Sequence, residues 1–141
     1  MRAVVARVTE ADVTVDGQVV GAIAEPGLLV LLGIHTDDEA AQTAVMARKL
    51  HELRVLREEQ SCASVGAPLL VVSQFTLYGD TRKGRRPSWT AAARPERAAE
   101  LFDRVVAELR GRGARVETGT FGATMTVRSV NDGPFTVLVE V

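Results

Sequence analysis

Hydrophobic positions change period several times along the chain, and each change marks an element. Val4, Val5 and Val8, with Arg7 between them, predict a first strand. Val13, Thr14 and Val15 predict a second, closed by Asp16-Gly17, a strong hairpin-turn signal, with Gln18 to Ala24 returning. Gly27 to Ile34 is almost wholly apolar, as expected of a strand buried on both faces. The period then becomes helical. Thr36-Asp37-Asp38-Glu39 has the form of a capping box, so its acidic run reads as a helix start rather than a metal site. Apolar positions recur at Ala40, Ala44, Met46, Ala47, Leu50 and Leu53, and the helix fades near Arg54 to Leu56. Residues 57–67 lack a period and read as a loop.

Leu69 to Leu77 resumes as a strand. Alternation there sends Ser73 and Phe75 to one face and Gln74 and Thr76 to the other. Residues 78–93 are polar, basic and punctuated by Gly and Pro, the signature of a long ordered loop. Pro95 opens a second helix with Ala98, Leu101, Phe102, Val105 and Leu109 on one face, ended by Gly111 and Gly113. Ala114–Thr118, Met125–Val130 and Phe135–Val141 are strand-like. These stretches condense to the order β-β-β-α-β-α-β-β-β. The expected architecture is α/β: a single compact domain over residues 1–141, with mixed or antiparallel sheets packed against two helices.

Composition narrows the function classes. A chain of 141 residues suits one domain and buries roughly two-thirds of its unfolded surface. With 46% hydrophobic and 25% charged residues, disorder is excluded as the main state. The longest apolar run, Leu28 to Leu32, is far short of a membrane span. Arg2 and Arg7 interrupt the N-terminus, so no secretory signal is expected. The single cysteine, Cys62, lies in the loop-like stretch Gln60 to Ser64. It rules out an internal disulfide and a Cys-rich zinc site, and a free thiol fits a cytoplasmic location.

Net charge is −1, which taken alone argues against an overall-basic nucleic-acid protein. The halves differ, however. Residues 1–79 balance to −4 and residues 80–141 to +3. Residues 82–97 hold Arg82, Lys83, Arg85, Arg86, Arg94 and Arg97 against Glu96, a balance of +5 in sixteen residues.

Common catalytic arrangements are missing. Neither His35 nor His51 belongs to a metal-ligand spacing. Both read as structural, with His51 on the exposed side of the first helix. There is no HExxH, GxSxG, P-loop or GxGxxG. With no metal, no cofactor and no evident general base, an enzyme here works by positioning, backbone dipoles and the substrate's own groups. Two polar insertions stand out. Ser73-Gln74-Phe75-Thr76 ends a hydrophobic strand, and Asn131-Asp132-Gly133-Pro134-Phe135-Thr136 interrupts the last strands. The first reads as a strand end becoming solvated, or as a polar site. The second reads first as a turn, but Gly before Pro also permits a cis bond that aims two carbonyls the same way.

Together these two segments resemble the motif pair of the D-aminoacyl-tRNA deacylases. Arg7-Val8, Gly84-Arg85-Arg86-Pro87-Ser88-Trp89 and Thr118-Gly119-Thr120-Phe121-Gly122-Ala123 fall in the family's order, so the resemblance spans residues 1–141. It implies a homodimeric hydrolase of the ester between a D-amino acid, or glycine misattached to alanine tRNA, and the terminal adenosine of tRNA. On the family pattern, Gly133 and Pro134 of one subunit enter the other's pocket. Their carbonyls hold the α-ammonium and leave no room for an L side chain. Backbone N–H groups of Phe75 and Thr76 stabilise the oxyanion, Phe75 stacks on adenine, and Ser73 and Gln74 shape the adenosine end. The Thr76 side chain is a candidate nucleophile without a neighbouring base. Arg7 braces the Gly133-Pro134 loop, while Arg82, Lys83, Arg85 and Arg86 meet tRNA phosphates. Arg57 to Pro68 is shorter than the family's usual segment, which often carries Lys-Met-Asn, and no site residue is assigned there. A non-catalytic RNA-binding module and a structural homodimer whose Gly-Pro is only a turn are the alternatives.

Overall fold

In a computed structural model describing residues 1–141, strand β1 runs unbroken from Arg2 to Val15. The two stretches expected as separate strands are thus one, and three strands precede the first helix. β1 crosses from one sheet layer into another. Residues 2–8 pair antiparallel with β3 (Gly27–Gly33), and residues 11–15 pair antiparallel with β2 (Gln18–Ile23). The β1–β2 turn places Asp16 at φ 48° and Gly17 at φ 77°. Positive φ at both central positions is what a type I′ hairpin requires.

β3 continues parallel to β4 (Leu69–Ser73), and β4 parallel to β5 (Val116–Thr118), giving the path β2-β1-β3-β4-β5. Strand β6 (Thr126–Glu140) lies along the other side of β1 for nearly its whole length. The expected break at Asn131–Pro134 is therefore no hairpin turn. Register shifts between Ala6 and Val8 and between Val8 and Glu10 absorb those residues as an irregularity within one strand. Two strands follow the last helix instead of three.

Alternation along β3 and β4 builds two cores. Leu28, Val30, Leu32, Leu69 and Val71 face the helices α1 (Ala40–Glu52) and α3 (Pro95–Gly111), where Met46, Leu50, Leu101, Val105 and Leu109 are buried. Leu29, Leu70 and Val72 face the folded-over layer and pack on Val8, Ala11, Val13 and Ile23. Burying both faces explains the continuous apolar runs of these two strands.

Several local expectations are corrected. α1 is capped by Glu39 with Gln42 rather than by Thr36, whose amide instead donates to Ala91 O at 3.0 Å. Asp38 is buried. Its carboxylate accepts from the Met1 amino group and from the His35 amide, both at 2.7 Å. His51 is buried, not exposed, because α1 turns that face toward its neighbours. Residues 57–67 are not featureless. They hold a short 3₁₀ turn (Arg57–Glu59) and a one-turn helix, α2 (Cys62–Val65), capped reciprocally by Ser61 and Ser64. Cys62 is buried in α2, where burial pushes its thiol up to about 12. No helix is long and apolar enough to cross a membrane.

Candidate active site

β3 and β4 run parallel, and their C-terminal ends open into a common crevice, the usual place for a ligand beside parallel strands. β4 ends earlier than its hydrophobicity suggests. Its last ladder partner is Leu32, opposite Ser73, and the Gln74 amide makes one more bond, to Leu32 O at 2.8 Å. Beyond that the chain winds into a 3₁₀ turn over Phe75–Tyr78. The simple alternation expected for residues 73–76 therefore stops at Ser73. Ser73 continues the helix-facing row of Leu69 and Val71, while Phe75 and Thr76 are swung out to solvent.

The amides of Phe75 and Thr76 open this turn, and the first N–H groups of a helical turn have no partner within it. Phe75 lines the crevice, and Thr76 follows it in the turn. Gln74 Nε2 donates to Thr76 Oγ1. Arg2 holds the turn from behind, donating from Nη1 to Leu77 O at 2.9 Å with its guanidinium 5.0 Å from the Tyr78 ring centroid.

The crevice is a cavity of about 520 Å³. Leu32 and Ile34, from β3 and its end, line it together with Ala93 and with Pro95 and Ala98 from the start of α3. Ser73, Gln74 and Phe75 line it as well, together with Trp89 and Phe121. Phe75 and Trp89 meet edge to face, ring centroids 5.3 Å apart, and both are exposed, Phe75 at 57% and Trp89 at 43%. A pair of half-wet aromatic rings is a stacking surface for a planar ligand. Gly79 makes room for it, since a Cβ there would stand 2.7 Å from Trp89 Cζ3. Arg94 is the only ionisable residue in the lining. No histidine, carboxylate or thiol borders the cavity, so the site offers hydrogen-bond donors, aromatic surface and one cation, but no side-chain base.

The basic segment forms a loop, as expected. Asp80 and Ser88 exchange backbone bonds of 2.8 and 2.9 Å, closing residues 81–87 into an exposed lobe beside Trp89. Within it the four cations are not equivalent. Arg82 forks onto Asp80, Nε to Oδ1 at 2.9 Å and Nη2 to Oδ2 at 2.6 Å, and this bonding holds the Asp80 carboxyl down at about 2. Lys83, Arg85 and Arg86 have no carboxylate partner.

Gly133 and Pro134 lie elsewhere, on the exposed part of β6, and their peptide bond is cis. Arg7 donates from Nε to Asp132 O at 2.8 Å, and its guanidinium lies 4.6 Å from the Phe135 ring centroid. Asn131 Nδ2 donates to Arg7 O at 2.8 Å. The single chain does not bring this segment to the crevice. Gly133 follows Asp132, which Arg7 holds midway along β1, whereas Ser73 lies in the row of Leu32 and Ala3. Four residues of strand separate those rows, about 13 Å, and three strand spacings separate β6 from β4, about 14 Å.

The sequence reading missed Trp89 and Arg94 as parts of the crevice, although both lay in segments it had marked as basic. It also missed Arg57, which pairs with Asp132 across 75 positions of sequence, Nη2 to Oδ1 at 2.6 Å.

Comparison with known proteins gives a consistent picture. The family model for D-Tyr-tRNA(Tyr) deacylase matches residues 4–140. A D-aminoacyl-tRNA deacylase of Thermobifida fusca is 66% identical over 141 residues, the whole of both chains. A solved structure described as the c-Myc DNA Unwinding Element Binding Protein is 38% identical, with a TM-score of 0.92 over 100% of this chain and 99% of that one. Another, described as a probable eukaryotic D-amino acid tRNA deacylase, is 19% identical and shares the fold, with a TM-score of 0.89 over 99% and 98% of the two chains.

Proposed function

The chain belongs to the D-Tyr-tRNA(Tyr) deacylase family, and from that premise we propose that it hydrolyses the ester joining a D-amino acid to the terminal adenosine of tRNA, releasing free D-amino acid and tRNA. The observation that carries this reading is the crevice itself. It offers exposed aromatic rings for a base and amides for an oxyanion, with no side-chain base in its lining. Such a site suits an ester whose alcohol side supplies its own neighbouring hydroxyl.

The adenine stacks on Phe75, with Trp89 behind it, while Ser73 and Gln74 hydrogen-bond the adenosine end. Water attacks the ester carbonyl carbon, and its proton passes by way of the tRNA's 2′-hydroxyl to the departing ribose oxygen. The resulting oxyanion is held by the amides of Phe75 and Thr76, and its collapse breaks the bond to the ribose oxygen. The Thr76 hydroxyl already accepts from Gln74 and is not required as the nucleophile. Lys83, Arg85 and Arg86, with Arg82 contributing less, meet acceptor-stem phosphates. Residues 1–141 act as one catalytic domain in the cytoplasm.

The working unit is a homodimer. The outer edge of β6 pairs with nothing in the chain, and Val127, Val130 and Leu138 are exposed along it. A long, partly apolar free edge calls for a cover. On the family pattern, Gly133 and Pro134 of one copy serve its neighbour's crevice, joining two motifs that a single chain keeps apart. Arg7 braces that segment. The Gly133 and Pro134 carbonyls receive the substrate's α-ammonium and deny space to an L side chain, so glycine esters are accepted as well.

The test is hydrolysis of D-Tyr-tRNA and L-Tyr-tRNA by catalytic amounts of purified protein. Selective loss of the D ester supports the reading. Equal rates, or none, reject it.

A further inference from the structure

The turn at Arg57–Glu59 lies in the segment that is short in this chain, and the mechanism above gives it no task. It nevertheless makes the only side-chain fork onto the residue preceding Gly133. Arg57 Nε donates to Asp132 Oδ2 at 3.0 Å and Nη2 to Oδ1 at 2.6 Å. Arg7 approaches the same residue from the β1 side, 2.8 Å from its carbonyl oxygen and 3.4 Å from Oδ2. All three oxygens of Asp132 are thus held by two guanidiniums. The Arg7 and Asp132 side chains are largely covered, at 12% and 19% exposure, while Arg57 closes the pair from the solvent side at 68%.

The turn that presents Arg57 is itself unusual. Glu58 (φ 57°, ψ 31°) and Glu59 (φ 55°) both occupy the left-handed region, which costs energy at any residue with a Cβ. Leu56 N to Gln60 O at 3.0 Å and Gln60 N to Arg57 O at 3.2 Å close the turn on itself. Strain of this kind persists where surrounding contacts over-determine the backbone, and the fork to Asp132 is the turn's one long-range anchor. Gly133 and Pro134 have no polar side chains of their own, so their neighbours set where their carbonyls aim. Arg7 alone grips the Asp132 main chain at one point. The planar fork from Arg57 fixes the carboxylate plane as well.

We infer that Arg57 is a positioning residue which, acting through Asp132, fixes the direction of the Gly133–Pro134 carbonyls and so sharpens discrimination between D and L esters. The inference rests on the deacylase reading, in which those carbonyls meet the substrate. Arg57 itself touches no substrate in this account. Arg57 is exposed at its end of the pair, so the pair adds little to global stability. The expected signature is therefore a change in selectivity in a protein that still folds.

The test uses the full chain as wild type, Arg57→Ala, Arg57→Lys, Asp132→Asn and the Arg57→Ala/Asp132→Asn double variant. Arg57→Ala is expected to lower the D-to-L ratio of ester hydrolysis about tenfold, since misplacing a positioned group by an ångström is costly. The change should show as weaker D-ester binding and as new inhibition by the L ester, beyond that of uncharged tRNA. Arg57→Lys should recover part of the ratio, because an ammonium supplies charge without the fork. The double variant should be no worse than the worse single, the mark of residues acting as one unit. A ratio unchanged in Arg57→Ala, or additive losses in the double variant, overturns the inference. So does a fall of about one in the salt slope of tRNA binding, which would make Arg57 a phosphate contact. Amide hydrogen exchange in residues 131–135 reads the same hold without substrate. Faster exchange there than in β4 on Arg57→Ala supports it, and unchanged exchange overturns it even if the wild-type protein hydrolyses no D ester.

Discussion

Replacing Lys83, Arg85 and Arg86 together by alanine should flatten the salt dependence of tRNA binding far more than replacing Arg82. The structure sets the difference. Arg82 is already neutralised by its fork onto Asp80, whereas the other three cations stand exposed without a carboxylate partner. Each phosphate contact contributes about 0.7–0.9 to the slope of log affinity against log salt. Three contacts make about 2.1–2.7. Between 50 and 200 mM salt, a fourfold change, that slope corresponds to about 20- to 40-fold in affinity, which the triple variant should no longer lose. Arg82→Ala should change the slope by well under one contact. The Asp80 carboxyl lies below its ordinary value, so its pair with Arg82 is intact at neutral pH and is lost only as pH falls through about 2. The contrast between the two variants should therefore be the same at pH 5 and pH 8. Fluorescence anisotropy of labelled tRNA at three salt concentrations measures it. A triple-variant slope equal to wild type, or an Arg82→Ala slope as flat as the triple variant's, would refute the assignment of this lobe.

Three further outcomes are expected. Thr76→Ala should keep substantial turnover on D-Tyr-tRNA, because the amide at that position survives the substitution. Complete loss with binding intact would restore the hydroxyl as nucleophile. Phe75→Ala should weaken productive binding about tenfold or more, the scale of one base–aromatic stack at about 1–3 kcal/mol, read as a rise in KM with the fold unchanged by circular dichroism. Cys62, raised from 9.0 to about 12, should alkylate at pH 8 about a thousandfold more slowly in the folded protein than after unfolding, since only the thiolate reacts. Rapid labelling of the native chain would show that α2 opens freely.

What the sequence reveals about this fold is what local periodicity controls. The helical spacing of Met46, Leu50, Leu101, Val105 and Leu109, and the unbroken apolar runs of β3 and β4, follow directly from which faces are buried. The merging of strands is decided elsewhere. Asn131-Asp132-Gly133-Pro134 has turn composition, yet pairing with β1 on both sides carries it through as one strand with shifted register. Phe75–Tyr78 has strand composition, yet β4 loses its ladder partner after Ser73 and the chain winds up. The two polar segments, Ser73–Thr76 and Asn131–Thr136, stood out because they are polar where hydrophobic strands would otherwise continue. Arg57 was not, since its partner lies 75 positions away and nothing local marks it. Arg82 looked like its neighbours in the basic cluster, and only the geometry shows it spent on Asp80.

The central claim is that L-amino acids are turned away by lack of space rather than by slow chemistry. Competition measures this most directly. D-Tyr-tRNA hydrolysis is followed while L-Tyr-tRNA, glycyl-tRNA or uncharged tRNA is added. The account predicts that L-Tyr-tRNA inhibits no better than uncharged tRNA and survives intact, while glycyl-tRNA competes and is consumed. An L ester that inhibits as tightly as the D ester binds, or is itself hydrolysed, would contradict it.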